Sequence, residues 1–232
     1  MVQIMEIKCL ASGSTGNCYL VNPGSGWIML DAGIPISKVN KHINLNNVEI
    51  AFVSHNHNDH SKCLRELLLK GVKVLEGNLI GNCDKIFSYG KFRGKFRMLG
   101  VPVQHGEEPN GALIVEDLNS EELLLYATDF NVCRPNLSDY KFTRIMVECN
   151  YVEDYIPEEM NVKENRQINT HMGLNGVQTF LDKLDLSNCK EIVLMHLSQS
   201  YADPIIIGAT IYSRYGIRTG VCRQWGGIDY YG

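Results

Sequence analysis

The stretch Phe52-Val53-Ser54-His55-Asn56-His57-Asn58-Asp59-His60 decides how this chain is read. It follows the apolar run Ile50-Ala51-Phe52-Val53, which has the look of a buried strand. It precedes Ser61–Gly71, where Leu64, Leu67 and Leu68 recur at helical spacing and Gly71 is placed to stop the helix. Three imidazoles and a carboxylate therefore crowd one strand-to-helix loop. Neutral imidazole is the commonest metal ligand, and carboxylate oxygen completes sites suited to zinc or manganese. In an extended segment His55 and His57 project to the same side and can reach one ion. Asp59 and His60 lie past the strand, where the chain turns and can serve a second. The chain has seven histidines, so three within six positions are poorly explained as a polar loop. The stretch reads as a metal site.

Composition sets the frame around it. A chain of 232 residues, 44% hydrophobic and 21% charged, fits a globular body with a core, expected as one domain over 1–232. A net charge of −4 argues against general attraction to nucleic acid or anionic membrane but leaves room for a local basic patch. The eight cysteines form no CxxC pair, so they are expected to be reduced, mostly buried thiols of a cytoplasmic protein. No apolar run is long enough to cross a bilayer.

Outward from the histidine loop, strands and helices alternate. Residues 4–10 and 18–22 read as strands joined by Ser12-Gly13-Ser14-Thr15-Gly16-Asn17, which matches neither a Walker A loop nor a dinucleotide fingerprint. That loop is a tight turn on its residues alone, although its hydroxyls and amides could line a pocket for an anion. Trp27–Leu30 is a strand ending in Asp31, either a turn residue or a carboxylate that orients a metal-bound histidine. A short helix is expected over 36–43 and a strand over 72–75. Residues 85–97 interleave Lys and Arg with Phe and Tyr, as in a nucleic-acid contact or a twisted hairpin with a charged face. Further strands are expected at 100–104, 112–116, 123–128, 144–147, 191–195 and 217–222, and helices at 177–184 and 203–214. A Gly/Tyr-rich tail follows.

A pattern recurs along this order. His105, Asp129, Glu148 and His196 each directly follow an apolar strand, and His171 precedes a helix. Polar groups gathered at the ends of neighbouring strands make a site. His-x-His-x-Asp-His at 55–60, followed by His105, Asp129 and His196, resembles the dinuclear set of the metallo-β-lactamase superfamily, and Asp31 matches that superfamily's first motif. The resemblance runs from residue 4 to about 222. The Ser-Gly-Ser-Thr-Gly-Asn loop, Glu148-Cys149-Asn150, His171 and His196-Leu197-Ser198 are most similar to YycJ/WalJ-type hydrolases, relatives of tRNase Z and the RNase J-like nucleases. A cysteine stands at the Asp129 position in zinc β-lactamases, so that activity is disfavoured. The chain lacks room for the inserted domain of RNase J-like nucleases and lacks an obvious tRNA-gripping arm.

The resemblance implies an α/β (α+β) fold, the four-layer αββα metallo-β-lactamase sandwich. It implies two divalent metal ions, Zn2+ first, with Mn2+ or Fe2+ as alternatives. His55, His57 and His105 would hold one ion, Asp59, His60 and His196 the other, and Asp129 would bridge. Asp59, His171 and Glu148 are the implied catalytic residues: a metal-bridging hydroxide attacks a phosphodiester, and His171, held by Glu148, protonates the leaving oxygen. Asp31 supports a ligand, and Ser14 and Asn17 are expected substrate contacts. The expected function is a phosphodiesterase or nuclease with DNA or RNA as substrate, in a chain that homodimers would suit and that no membrane holds. The alternatives are a glyoxalase II-like thioester or lactone hydrolase and a non-catalytic, metal-stabilised binding protein.

Overall fold

The computed structural model describes residues 5–24, 26–80, 85–92 and 95–232. Two sheets face one another. The first is built in sequence order from β1 (Glu6–Ala11), β2 (Cys18–Asn22), β3 (Trp27–Leu30), β4 (Val48–Val53) and β5 (Val74–Glu76). The second contains β6 (Phe87–Phe92), β7 (Phe96–His105), β8 (Glu108–Asp117), β9 (Leu123–Ala127), β10 (Val132–Cys133), β11 (Arg144–Glu148), β12 (Glu191–Met195), β13 (Arg218–Cys222) and β14 (Ile228–Tyr231). Its order is β10-β7-β8-β9-β11-β12-β13-β14, with β6 paired to β7. The helices are α1 (Ile36–Val39), α2 (Asn58–Ser61), α3 (Leu64–Leu69), α4 (Val162–Thr170), α5 (Leu174–Leu181) and α6 (Pro204–Tyr215).

Strand alternation explains the layers. Side chains on successive strand residues point to opposite faces. Ile50 and Phe52 of β4 meet Met146, Val193 and Met195 of the second sheet in the central core. Their neighbours Ala51 and Val53 turn outward to pack with Val39 and Leu67. On the other side, Ile145, Val147, Ile192 and Leu194 pack with Val177, Leu181, Ile207 and Ile211 from α5 and α6. The result is helices, sheet, sheet, helices: the αββα sandwich. Strands buried on both faces read as continuous apolar runs, which is why β4, β11 and β12 were legible.

The parallel strands bring chemistry to one edge. β3 and β4 run parallel, and so do β9, β11, β12 and β13. Their C-terminal ends therefore share a side, and Asp31, His55, Asp129, Glu148 and His196 fall at or just past those ends. β7, antiparallel to β8, which is antiparallel to β9, also ends there, with His105.

Several expectations shift. The helix expected at 36–43 is α-helical only over Ile36–Val39. The 177–184 helix begins earlier, at Leu174. The polar helix α4 has no apolar stripe to betray it and was not anticipated. The Gly/Tyr-rich tail returns as β14, antiparallel to β13. Of residues 85–97, Arg93 and Gly94 lie outside the described residues; the others lead into β6 and the start of β7, from Phe87 opposite Gly100 to a far end around Phe96, about 30 Å from His105 at ~3.3 Å per residue. Arg97 is paired with Glu116 there, so the turn end of this basic–aromatic segment lies away from the histidines. Seven cysteines are free; the eighth, Cys83, lies outside the described residues. No helix among the described residues is long and apolar enough to cross a membrane.

Phe52 is fully buried between the sheets, with its ring against Tyr89 and Tyr126. Phe52→Ala should lower the unfolding free energy by about 3–5 kcal/mol, read as a reduced urea midpoint at unchanged m-value.

Candidate metal centre

The loop after β4 packs by close backbone contact. Asn17 N donates to Asp59 O (2.7 Å), Ala32 N to His60 O (2.7 Å) and Gly33 N to Asn17 O (2.8 Å). These bonds seat α2 against the ends of β2 and β3. Three strand-end residues, Asp31 (φ 57), Asp129 (φ 50) and His196 (φ 58), adopt the left-handed backbone region that L-residues avoid. The strands thus stop abruptly and turn their last side chains into the edge.

The imidazoles converge in a consistent way. His60 Nδ1 donates to Asp31 Oδ2 (2.5 Å), His57 Nε2 to Glu108 Oε2 (2.9 Å) and His105 Nδ1 to the Thr170 carbonyl (3.2 Å). Each ring thereby commits one N–H to an oxygen and leaves its opposite nitrogen for the centre, as metal-binding histidines do. His55 Nδ1 lies 3.0 Å from Ser54 Oγ, and its Nε2 lies 2.8 Å from His57 Nδ1. Asp129 stands in the middle: its Oδ2 is 3.3 Å from His60 Nε2 and 3.8 Å from His55 Nε2, and its Oδ1 is 3.5 Å from His196 Nε2. Asp59 Oδ2 lies 3.4 Å from His60 Nε2 and 3.5 Å from His196 Nε2.

Ligand atoms cluster into sets small enough for one ion each. One is His55, His57, His105 and Asp129; another is Asp59, His60 and His196; a third joins Asp129, Glu148, His171 and His196. Imidazole nitrogen with carboxylate oxygen is a donor set for zinc, manganese or iron. The His and Asp residues of this edge are positioned to bind metal.

Glu148 is fully buried and spent on its neighbours. Its Oε1 accepts from Phe130 N (2.5 Å) and Met172 N (3.3 Å), and its Oε2 accepts from His171 Nδ1 (2.9 Å). His171 stacks on His196, with ring centroids 5.1 Å apart.

Electrostatics follow from this packing. Burial, reinforced by His60, pushes the His55 imidazole down to about 2, so the ring is neutral at ordinary pH and free to offer a lone pair. Burial also lowers His105. For Asp129 burial works upward, but His196, His60 and His171 outweigh it and hold the carboxylate well below its usual range. Burial depresses His171, yet the Glu148 and Asp129 carboxylates raise it to about 9.

The centre opens into a cleft of about 460 Å³ lined by Ser14, His57, Asp59, His105, His171 and Gln199 among others. Ser14 is exposed there. Asn17, anticipated as a substrate contact, is instead fully buried: its carboxamide joins Gly13, Asp59 and His60. It is a structural tie between loop and centre. Sequence reasoning did not find Glu108, Tyr126 or Thr170, and it gave Asn150 no role beyond its place in a motif. Tyr126 donates to Asp31 (2.6 Å), and Asn150 holds the His196 carbonyl (2.8 Å). Glu108, three residues after His105, was the one with a local signal.

The Metallo-beta-lactamase superfamily profile matches residues 11–81, which include the Asp31 turn and the His55–His60 loop. A search of curated proteins finds no significant match. Among solved structures, the metallo-beta-lactamase fold protein YhfI from Bacillus subtilis is similar with a TM-score of 0.65 at 12% identity, covering 98% of this chain and 99% of that one. Human tRNase Z, short form, superposes at 0.63 with 12% identity and 99% of both chains. Unliganded yeast PDE1 superposes at 0.64 with 11% identity, over 98% and 99%. This chain has the metallo-β-lactamase fold, and its residues 11–81 match that superfamily's profile.

A Cβ at Gly33 would lie 1.7 Å from the Asp59 carbonyl oxygen and 2.6 Å from Asn17 N. Gly33→Ala should therefore displace the Asp59–His60 turn and weaken metal uptake at least tenfold, measured by calorimetric titration of metal into the stripped protein. Asp31→Asn should cost about 10- to 100-fold in metal affinity by loosening His60.

Proposed function

We propose that the protein is a dinuclear, metal-dependent phosphodiesterase of the nuclease kind. The observation that carries this reading is the position of Asp129, shared between two ligand sets, with His171 held by Glu148 beside it at the same cleft. His55, His57 and His105 would hold one ion and Asp59, His60 and His196 the other, with Asp129 common to both. Two such ions supply an activated water and clamp the oxygens of an in-line displacement.

The chain's own residues do the rest. Glu148 accepts the His171 Nδ1 proton, so Nε2 is the nitrogen left to face the cleft. From there His171 hands a proton to the departing oxygen as general acid. Phe130 N and Met172 N hold Glu148 in place, and Glu148 in turn fixes the His171 ring. The exposed Ser14 hydroxyl lies at the mouth for a non-bridging phosphate oxygen. An open cleft suits a polymer that must enter from the side.

The names of the fold neighbours agree with this class: a tRNase, a PDE and a diphosphatase of the PhnP family. Within the superfamily we assign the chain to the YycJ/WalJ type, on the Ser12–Asn17 loop, Glu148-Cys149-Asn150 and His171. Seven free and mostly buried thiols suit a reducing cytosol.

Bis-p-nitrophenyl phosphate and labelled oligonucleotides should be turned over with zinc or manganese supplied. His171→Ala should lower kcat by roughly 100- to 10,000-fold with the bound-metal count by elemental analysis unchanged. Turnover of a glutathione thioester or lactone that ignores His171, with no phosphodiester cleavage, would overturn the assignment in favour of a glyoxalase II-like hydrolase.

A further inference from the structure

The β13–β14 hairpin has a feature that the phosphodiesterase reading does not use. Its loop, Arg223-Gln224-Trp225-Gly226-Gly227, is closed by Arg223 N to Gly227 O (3.0 Å) and Gly226 N to Arg223 O (3.2 Å). Trp225 at its tip is 67% exposed, unusual for the largest apolar side chain. Lys38 Nζ sits 5.0 Å from the Trp225 ring centroid.

Topology puts this loop beside the metal centre. β12 and β13 are parallel with Leu194 opposite Val221, so His196 and Arg223 emerge from neighbouring strands at the same edge, about 5 Å apart in strand spacing. Ser12 bridges them directly: its Oγ accepts from His196 N (2.8 Å), and its N donates to the Gln224 carbonyl (3.3 Å). Gln224 Nε2 also donates to Thr15 Oγ1 (3.3 Å), next in sequence to Ser14 of the cleft. A second cavity, about 440 Å³, runs between Arg223, Gln224 and Ser12 on one side and Leu197, Ser198 and Gln199 on the other. The last three also line the cleft at the metal centre, so the two hollows adjoin across Leu197–Gln199.

We propose that these adjoining hollows, together with Trp225 next to Gln224, bind an unpaired nucleic-acid strand that leads to the metal centre. A base stacks on the indole, Lys38 meets its phosphate, and Arg223 meets the backbone in the second cavity. Arg223 is held by Asp229 through Nε (2.9 Å) and Nη2, while among the described residues its Nη1 has no hydrogen-bond partner. Asp229 thus aims the guanidinium and offsets part of its charge. Stacking on an aromatic ring needs no particular base, because every base has a π-face. The inference rests on the phosphodiesterase reading for what happens to the strand, but not for whether it binds.

Binding is tested without metal, by fluorescence anisotropy of a labelled single-stranded oligonucleotide on the stripped protein. Trp225→Ala should raise Kd about 10-fold and Lys38→Glu by a similar factor. Trp225→Phe should retain most of the affinity, since it keeps a ring. In Trp27→Phe, which leaves Trp225 as the sole indole of the chain's two, the oligonucleotide should quench the emission. In the loaded enzyme, Trp225→Ala should lower the ratio of kcat/KM on the oligonucleotide to that on bis-p-nitrophenyl phosphate about 10-fold. No binding by the unmodified protein, an unchanged Kd in Trp225→Ala, or Trp225-independent preference for duplex would each overturn the proposal. Turnover of the small diester with an unchanged Kd would sink the Trp225 site and leave the phosphodiesterase standing. Trp225-dependent binding with no diester turnover would do the reverse.

Discussion

The buried carboxylate of Asp31 is the interaction on which the rest depends. It accepts from Ser54 N (2.7 Å), Ser54 Oγ (3.1 Å), His60 Nδ1 (2.5 Å) and Tyr126 OH (2.6 Å). A buried carboxylate is costly unless its oxygens are satisfied, and here both are. Tyr126 comes from the second sheet, whereas Asp31, Ser54 and His60 belong to the first. One side chain therefore joins the two sheets at the edge where the centre lies, and it fixes which nitrogen of His60 faces inward. Core packing brings the sheets together; this network sets how their edges meet.

A second constraint is conformational. Left-handed backbone at a non-glycine residue costs on the order of 1–3 kcal/mol and persists where surrounding structure overdetermines it. Asp31, Asp129 and His196 all carry it at strand ends of the same edge. Each is held by several bonds: Asp129 through Thr128 Oγ1 (2.8 Å) and the Asn110 amide on its carbonyl (2.6 Å), His196 through Ser12 and Asn150. The strain turns the side chains of rigid strands toward a common point. Ligands carried this way are preorganised, which is what a tight metal site requires.

Charge is distributed unevenly. The chain is acidic overall, and the cations of the β6–β7 hairpin lie away from the centre, with Arg97 answered by Glu116. Arg223, by contrast, lines the cavity that adjoins the cleft, and Lys38 lies over the ring of Trp225 in the same hairpin loop. A polyanion would be drawn by local charge and by stacking rather than by the net field of the molecule, which opposes it.

Much of this was already legible in the order of residues. The apolar runs before His55, His105, Asp129, Glu148 and His196 marked strands, because strands buried on both faces cannot hide their pattern, and the ligands then follow at strand ends. The helix α6 was equally plain from Asp203, Pro204 and the apolar residues after them. What local pattern could not carry was anything settled by a partner distant in sequence. Asn17 looked available for substrate, yet its burial against Asp59 is visible only once residues 42 positions apart meet. Residues 85–97 read equally as a nucleic-acid contact or a charged-face hairpin, and only strand direction shows that the turn end, around Phe96, points away from the centre. The tail after Cys222 looked irregular, and only pairing with β13 makes it a strand and lifts Trp225 beside the cleft. Sequence alone determined which residues could be ligands and in which elements they sit, since both depend on local chemistry and periodicity. Tertiary structure decided how those ligands group, what orients each ring and which surface adjoins them, because these depend on the relative direction and register of strands that no local spacing encodes.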